Sequence, residues 1–326
     1  MSDPWSDIAA SLQAGTDNLR RVSAEHPLEF WWGRDHSSRC LLALDYEITT
    51  SCPQFPELAG LQIVNFARDA AIGRLVLLLI DEADRDIFLA LCKDLLAATS
   101  GLTRGDSQTG VCIAIARLVR WRELFRNRRE RLSFERIIGL AGELLFLRDC
   151  LCLRVDPAIA VAMWRGPYGD EQDFVVGSTI FEVKTQLSTA DAALHISSEN
   201  QLDTVSGAVV IVHQLLGPAA LHMATAFSLN GLAADLRRIV LASSPDAADT
   251  FDAGLLAAGY APLAAYDEPV WMLVRQDMYT VEEAFPRIVP SMLPPGIEKV
   301  RYRLRVDACL PFKVDVTKTL EALVDE

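Results

Sequence analysis

The sequence predicts an α+β chain built on a mixed sheet, and three observations lead there. Short β-branched and aromatic runs recur in the first third and again after residue 173. Stretches of helical period lie between and after them. A Gly177-Ser178 pair flanked by β-branched residues marks a tight hairpin near the middle of the chain.

Residues 7–25 read as an opening helix, with Ile8, Leu12 and Leu19 toward one side. Strand-like runs follow at Phe30–Trp32, Arg39–Leu44, Leu61–Asn65 and Arg74–Ile80, broken by the loop around Cys52-Pro53-Gln54-Phe55-Pro56. They form a small, mostly antiparallel sheet. Helices are expected from Asp84 to Ala98 and from Gln108 to Arg129. A third helix starts after Ser133, an N-cap residue, and runs to Cys152. A strand at Ile159–Trp164, a polar loop at Gly166–Gln172 and the Asp173–Thr185 hairpin come next. His195–Ser198 reads as a strand, Glu199–Val205 as a short helix and Gly207–His213 as a buried strand. Helices at Ser228–Ala242 and Asp246–Ala258, then strands at Val270–Arg275 and Lys299–Val306, complete the chain. The expected division is soft: residues 1–105 as a sheet-and-helix region for recognition or interaction, residues 106–326 as the domain that carries the chemistry.

The 326 residues are half hydrophobic, with a net charge of −13. Such a composition is globular, and its acidity disfavours a dedicated nucleic-acid scaffold while leaving room for a local basic patch. Seven cysteines lack any C-x-x-C pair, so buried, reduced thiols and a cytoplasmic protein are expected. The N-terminus has no signal-peptide pattern, and the apolar run Leu75–Ile80 is far too short to span a bilayer.

Of the five lysines in this chain, only Lys184 has a carboxylate two residues before it, Glu182. With 44 acids in 326 residues that coincidence alone is weak. The hairpin strengthens it. A glycine-first, two-residue turn of type II′ pairs Val176 with Thr179, Val175 with Ile180 and Phe174 with Phe181, and sets Asp173 against Glu182. Opposed residues share a face, and Lys184 lies on it too. Two facing carboxylates repel unless one is protonated or a cation sits between them. A hard cation such as Mg²⁺ takes oxygen ligands, with the Val183 carbonyl as a further donor. The alternative is an ordinary strand ion pair between Glu182 and Lys184.

Glu143 has Gly139, Leu140, Phe146 and Leu147 as its helical neighbours. A carboxylate in that setting is partly buried and needs a cation or a donor. Both a metal-site acid and an ion pair with arginine satisfy this.

These residues resemble the PD-(D/E)XK nuclease superfamily. The likeness rests on a helix bearing Gly-Glu-Leu-Leu-Phe-Leu, then Trp164-Arg165-Gly166-Pro167, Asp173-Phe174, Phe181-Glu182-Val183-Lys184-Thr185 and Ile196-Ser197-Ser198 with Gln201-Leu202. More narrowly, it is similar to bacterial PD-(D/E)XK-motif proteins associated with phage defence. The resemblance is best over residues 133–213. It implies a restriction-endonuclease-like αβββαβ core and a Mg²⁺-dependent DNA endonuclease, with Mn²⁺ able to substitute. Asp173 and Glu182 would hold the metal, Lys184 would be the catalytic lysine, and Glu143 and Gln201 match further acidic and polar positions. Glutamine replaces the proline before the aspartate, a departure common in the superfamily. The partners implied are DNA, proteins of a defence system and a second copy of the chain. A non-catalytic nucleic-acid-binding or assembly subunit with the same fold is the competing expectation.

Between Arg117 and Arg136 stand eight arginines and three glutamates. They do not segregate to one helix face, so DNA contact and a solvated ion-paired helix are both open. His195 falls just after the hairpin, His36 and His213 have no ligand-spaced companion, and Trp31-Trp32 is expected to pack the first sheet.

Overall fold

The computed structural model describes residues 3–48, 54–126, 131–220 and 222–321. The chain divides into two compact units, Met1–Arg131 and Leu132–Glu326.

The first unit is an antiparallel sheet with two helices. β1 (Asn18–Arg21), β2 (Glu29–Arg34), β3 (Cys40–Glu47), β4 (Leu61–Ala67) and β5 (Ile72–Leu79) are ordered β1-β2-β3-β5-β4. α1 (Arg85–Thr99) and α2 (Ser107–Arg126) follow, and α2 packs on both α1 and β3. That packing puts the division after Arg131 rather than after residue 105. The four expected strands are present. The expected opening helix is not: Gly15 adopts φ +80, Leu12 is fully exposed, and Leu19 pairs within β1. A glycine in left-handed conformation ends any helix at that point. Trp32 packs edge-on to Trp5 at 5.0 Å, as a core residue should. The end of the expected second helix, and Cys52-Pro53 of the loop, lie outside the described residues.

The second unit is a mixed sheet flanked by helices. α3 (Phe134–Phe146) is capped by Ser133, whose side chain accepts from the Arg136 N–H, and continues into a π-turn at Leu147–Leu151. α4 (Pro157–Met163) replaces the strand expected at 159–164. Asp156 caps its first turn and Pro157 occupies its first position, a start signal that outweighs the β-branched content. β6 (Phe174–Val176), β7 (Thr179–Leu187), β8 (Ala193–Ile196), β9 (Ala208–Pro218), α5 (Leu229–Ser243), α6 (Pro245–Ala257), β10 (Trp271–Thr280), β11 (Tyr302–Arg305), α7 (Val306–Cys309), β12 (Lys313–Val314) and α8 (Val316–Glu321) follow.

The main sheet runs β12-β10-β9-β7-β6, with β7 and β9 parallel and the other pairs antiparallel. β8 and β11 form a separate two-stranded ribbon. Residues 199–205 form turns instead of a helix, because the Glu199 carboxylate accepts the Lys299 and Val300 N–H groups from a distant segment at 3.0 and 2.8 Å.

Alternation assigns the two faces of the sheet. Ile180, Val209, Ile211 and Tyr279 join Leu194, Ile196 and Leu304 of the ribbon in one core. On the opposite face, Phe146 of α3 meets Phe174 at 5.0 Å and Phe181 at 5.1 Å.

Candidate functional site

The hairpin has the register read from the sequence: Phe174↔Phe181, Val175↔Ile180 and Val176↔Thr179. Gly177 takes φ +57 while Ser178 stays out of the left-handed region, the pattern of a type II′ turn. The ladder ends at Phe174, and Asp173 lies one step beyond it. There its Oδ2 accepts the Val183 N–H at 2.7 Å, and its carbonyl accepts the N–H groups of Arg165 and Gly166. Asp173 is thus tied to β7 on one side and to the loop after α4 on the other.

Glu182, one of the few buried acids, shares its face with Lys184. The Lys184 ammonium donates to Glu182 Oε1 at 2.6 Å and to Gln201 Oε1 at 3.1 Å. Gln201 Oε1 also accepts the Ser197 N–H at 2.8 Å, which fixes the amide toward the lysine. Glu182 Oε2 is buried with no hydrogen-bond partner.

Glu143 approaches from α3. Trp164 Nε1 donates to its Oε2 at 2.7 Å. A Cβ placed on Gly166 would stand 3.0 Å from both Glu143 Oε2 and Asp173 Oδ1. Glycine therefore leaves open the space on which those two carboxylates converge. The helix reaches this position because Gly142 lets α3 settle on β7; a Cβ there would collide with Thr185 Oγ1. Thr185 in turn donates to Gln214 Oε1 at 3.2 Å, and Gln214 to Gln276 at 3.0 Å.

The three carboxyls are all pushed up. Burial first, then the charge of Asp173, drives Glu143 well above the usual carboxylate range, against the Trp164 N–H. Burial raises Asp173 to about 6, opposed by Lys184 and the Val183 N–H. Burial and then Asp173 raise Glu182 to about 8, with Lys184 pulling the other way. Lys184 is the cation that acts on all three. Three ionised carboxylates against one ammonium leave two negative charges, the deficit that a divalent cation cancels.

The residues present fit such an ion. An orphaned buried carboxylate oxygen, a glycine-lined space between two others and an all-oxygen donor set suit a hard cation. Among the described residues, no three His, Cys, Asp or Glu side chains close on one point at ligand distance. Glu182 Oε1 is held by Lys184, so an incoming ion would have to compete with the ammonium for it.

The structure thus brings together Glu143, Asp173, Glu182, Val183, Lys184 and Gln201. It also adds Trp164 and Gly166, which the sequence showed only as part of a motif; an aromatic N–H donor two residues before a glycine, near a helix acid, is their signal. His195 is exposed on the ribbon, opposite Arg303. His213 is buried beside Lys184 in the β7–β9 register, with both ring nitrogens unpartnered, and burial lowers it to about 4. In α2, Arg117 is buried against Asp94 at 3.5 Å, a structural role; Arg128 and Arg129 lie outside the described residues. Of the described cysteines, Cys112 on α2 is exposed and Cys152, in the turn after Leu151, is half-buried, so the expectation of uniform burial fails at these two.

A carboxylate just before one strand, a Glu-x-Lys within its hairpin partner, and a mixed sheet between helices define an α+β fold of the PD-(D/E)XK kind. A family model described as "Putative PD-(D/E)XK family member, (DUF4420)" matches residues 1–307, and the chain belongs to that family. The membership carries a nuclease-like character, and PD-(D/E)XK nucleases generally use divalent metals. No curated protein and no solved structure matches the chain significantly. Among the described residues, no helix is long and apolar enough to cross a membrane.

Proposed function

We propose that the chain hydrolyses DNA phosphodiesters with Mg²⁺, or Mn²⁺ in its place, and that it acts against foreign DNA. The observation that carries this reading is the carboxylate cluster: buried Glu182 and half-buried Glu143 and Asp173 gather around the Lys184 ammonium, and among the described residues Glu182 Oε2 has no hydrogen-bond partner. Asp173, Glu182, the Val183 carbonyl and Glu143 would hold the ion. When bound, the metal would polarise the scissile phosphate and lower the pKa of a coordinated water.

The chain's own residues supply the rest. Lys184, steered by Gln201, presents a positive charge where negative charge builds on the phosphate in the transition state. The Val183 N–H orients Asp173, and Trp164 orients Glu143. Burial keeps bulk water from screening these charges. The link to defence rests on family likeness.

Cleavage of plasmid and linear DNA with Mg²⁺ or Mn²⁺ tests the reading. Wild type is expected to cut, and Asp173→Ala and Lys184→Ala to lose at least about a hundredfold in rate, on the scale of removing one charged group that stabilises the transition state. Cleavage that survives both substitutions would place the chemistry elsewhere. A wild type that cuts nothing would favour a binding or assembly role.

A further inference from the structure

The segment Lys299-Val300-Arg301-Tyr302-Arg303-Leu304-Arg305-Val306 alternates strictly between cation and apolar residue. Four of its eight residues are basic and none acidic, in a chain where acids outnumber bases by 44 to 31. The structure turns the two sets to opposite sides. Tyr302, Leu304 and Val306 pack into the core beneath the ribbon, and Lys299, Arg301, Arg303 and Arg305 are all exposed.

Edge strands often carry charge to block pairing with another chain, and one or two residues suffice. Arg303 and Arg305 stand roughly 6.5 Å apart at alternate positions of β11, and exposed Arg301 and Lys299 precede them in the chain; four like charges in seven residues repel one another and call for an anionic partner. Arg303 and Arg305 meet Asp191 and Asp307 in exposed ion pairs, which are weak and exchangeable. Glu298 is a further exposed acid nearby. Among the described residues, neither the Lys299 ammonium nor the Arg301 guanidinium makes an ion pair or a side-chain hydrogen bond.

The backbone and the apolar side of this segment connect to the candidate site, while its cations stand on the outer side. Ile196, the last residue of β8, pairs with Tyr302, and the next residue, Ser197, shares the Gln201 side-chain oxygen with Lys184. The Lys184 charge acts on the Tyr302 phenol. Glu199, two residues before Gln201, clamps the Lys299 and Val300 N–H groups. That clamp holds Lys299 at φ +59, a left-handed conformation that lysine rarely adopts and that concentrates at functional positions. Lys299 and Arg301 form the near end of the stripe and Arg305, opposite Ala193, the far end.

We propose that the exposed cations of the β8–β11 ribbon and of the segment leading into it form the track that holds the DNA phosphate backbone flanking the cleaved segment, with Lys299 and Arg301 as the cations whose backbone is tied nearest the site. The proposal rests on the nuclease reading and adds the surface that seats its substrate. Such cations position the substrate without reading its sequence.

The test is the salt dependence of binding by the full chain to a fluorescent DNA duplex, with Ca²⁺ in place of Mg²⁺ to hold off cleavage. Removing one cation that neutralises a phosphate lowers the slope of log K against log salt by about one. Lys299→Ala/Arg301→Ala is expected to reduce the slope by about two, and Arg301→Lys to leave it as in wild type. Arg237→Ala/Arg238→Ala on α5 removes two exposed arginines elsewhere and is expected to change nothing. Thermal unfolding checks that each variant is folded. Duplex binding that keeps its affinity and slope in the Lys299/Arg301 variant overturns the track alone and leaves the nuclease reading standing. A slope reduced equally in the α5 variant also overturns it. A wild type that binds no duplex overturns both.

Discussion

At the scale of single residues, the site stores electrostatic cost. Asp173 and Glu182 titrate in the folded protein at about 6 and about 8, above their ordinary values of 3.8 and 4.5. The folded state therefore keeps protons that the unfolded chain releases as pH rises between those limits. These two groups lower metal-free stability across that window, since the unfolded chain has released their protons there, and they outweigh the opposite contribution of His213, whose lowered value adds stability as pH rises toward 6.5. The unfolding temperature in chelator is expected to be lower at pH 8 than at pH 5, and Mg²⁺ to raise it more at pH 8. Asp173→Asn keeps an acceptor for the Val183 N–H and removes a charge. It is expected to raise the metal-free unfolding temperature at pH 8 by a few degrees, about 1 kcal/mol of relieved repulsion, and to flatten the pH dependence. An Asp173→Asn variant whose pH dependence from 5 to 8 matches that of the wild type would contradict the burial argument. Trp164→Phe keeps the ring against Phe251 and removes the N–H donated to Glu143. Titration calorimetry should show weaker Mn²⁺ binding with little change in unfolding temperature; an equal drop in both would make Trp164 a packing residue only.

At the scale of elements, two glycines decide where the carboxylates stand. Gly177→Ala places a side chain at φ +57 and is expected to cost about 1–2 kcal/mol, read from denaturant unfolding. Gly142→Ala drives a Cβ into Thr185 and is expected to cost about 1–3 kcal/mol, since α3 must lift from β7. Adding Thr185→Ala should recover part of that stability, a coupling that two independent sites would not show. The hairpin is legible in the sequence because turn chemistry is local: a glycine-first pair between β-branched runs fixes register without any distant partner. The α4 segment reads as a strand when its Ile, Val and Trp content is weighed above the Asp156-Pro157 start signal. The turns at 199–205 leave no local trace, since what prevents the helix is a bond from Glu199 to residues a hundred positions away. Residues 7–25 depart from a helix for a local reason, the Gly15 turn, which the apolar spacing obscures.

At the scale of the molecule, the net charge of −13 spread over the chain says little about the site, where local imbalance counts. Asp173, Glu182 and Lys184 are legible as a set because one hairpin carries them all. Glu143 is legible from its apolar helical neighbours and Gln201 only through likeness, and the fold shows what brings them in: α3 seated through Gly142, and a turn held by Glu199. Trp164 and Gly166 are visible as a Trp-x-Gly near a helix acid, but their roles as donor and as open space come only from the structure. The division of the chain falls at Arg131 because α2 belongs with the first sheet.

The central claim is that Glu143, Asp173 and Glu182 form a site completed by a divalent cation. It can be tested without knowing the substrate, by titration calorimetry of Mn²⁺ into wild type, Asp173→Ala and Lys184→Ala at pH 8. Wild type is expected to bind saturably, Asp173→Ala to bind at least about tenfold more weakly, on the scale of removing a charged ligand worth about 1.4 kcal/mol or more, and Lys184→Ala to retain the ion. Equal binding by wild type and Asp173→Ala would contradict the account.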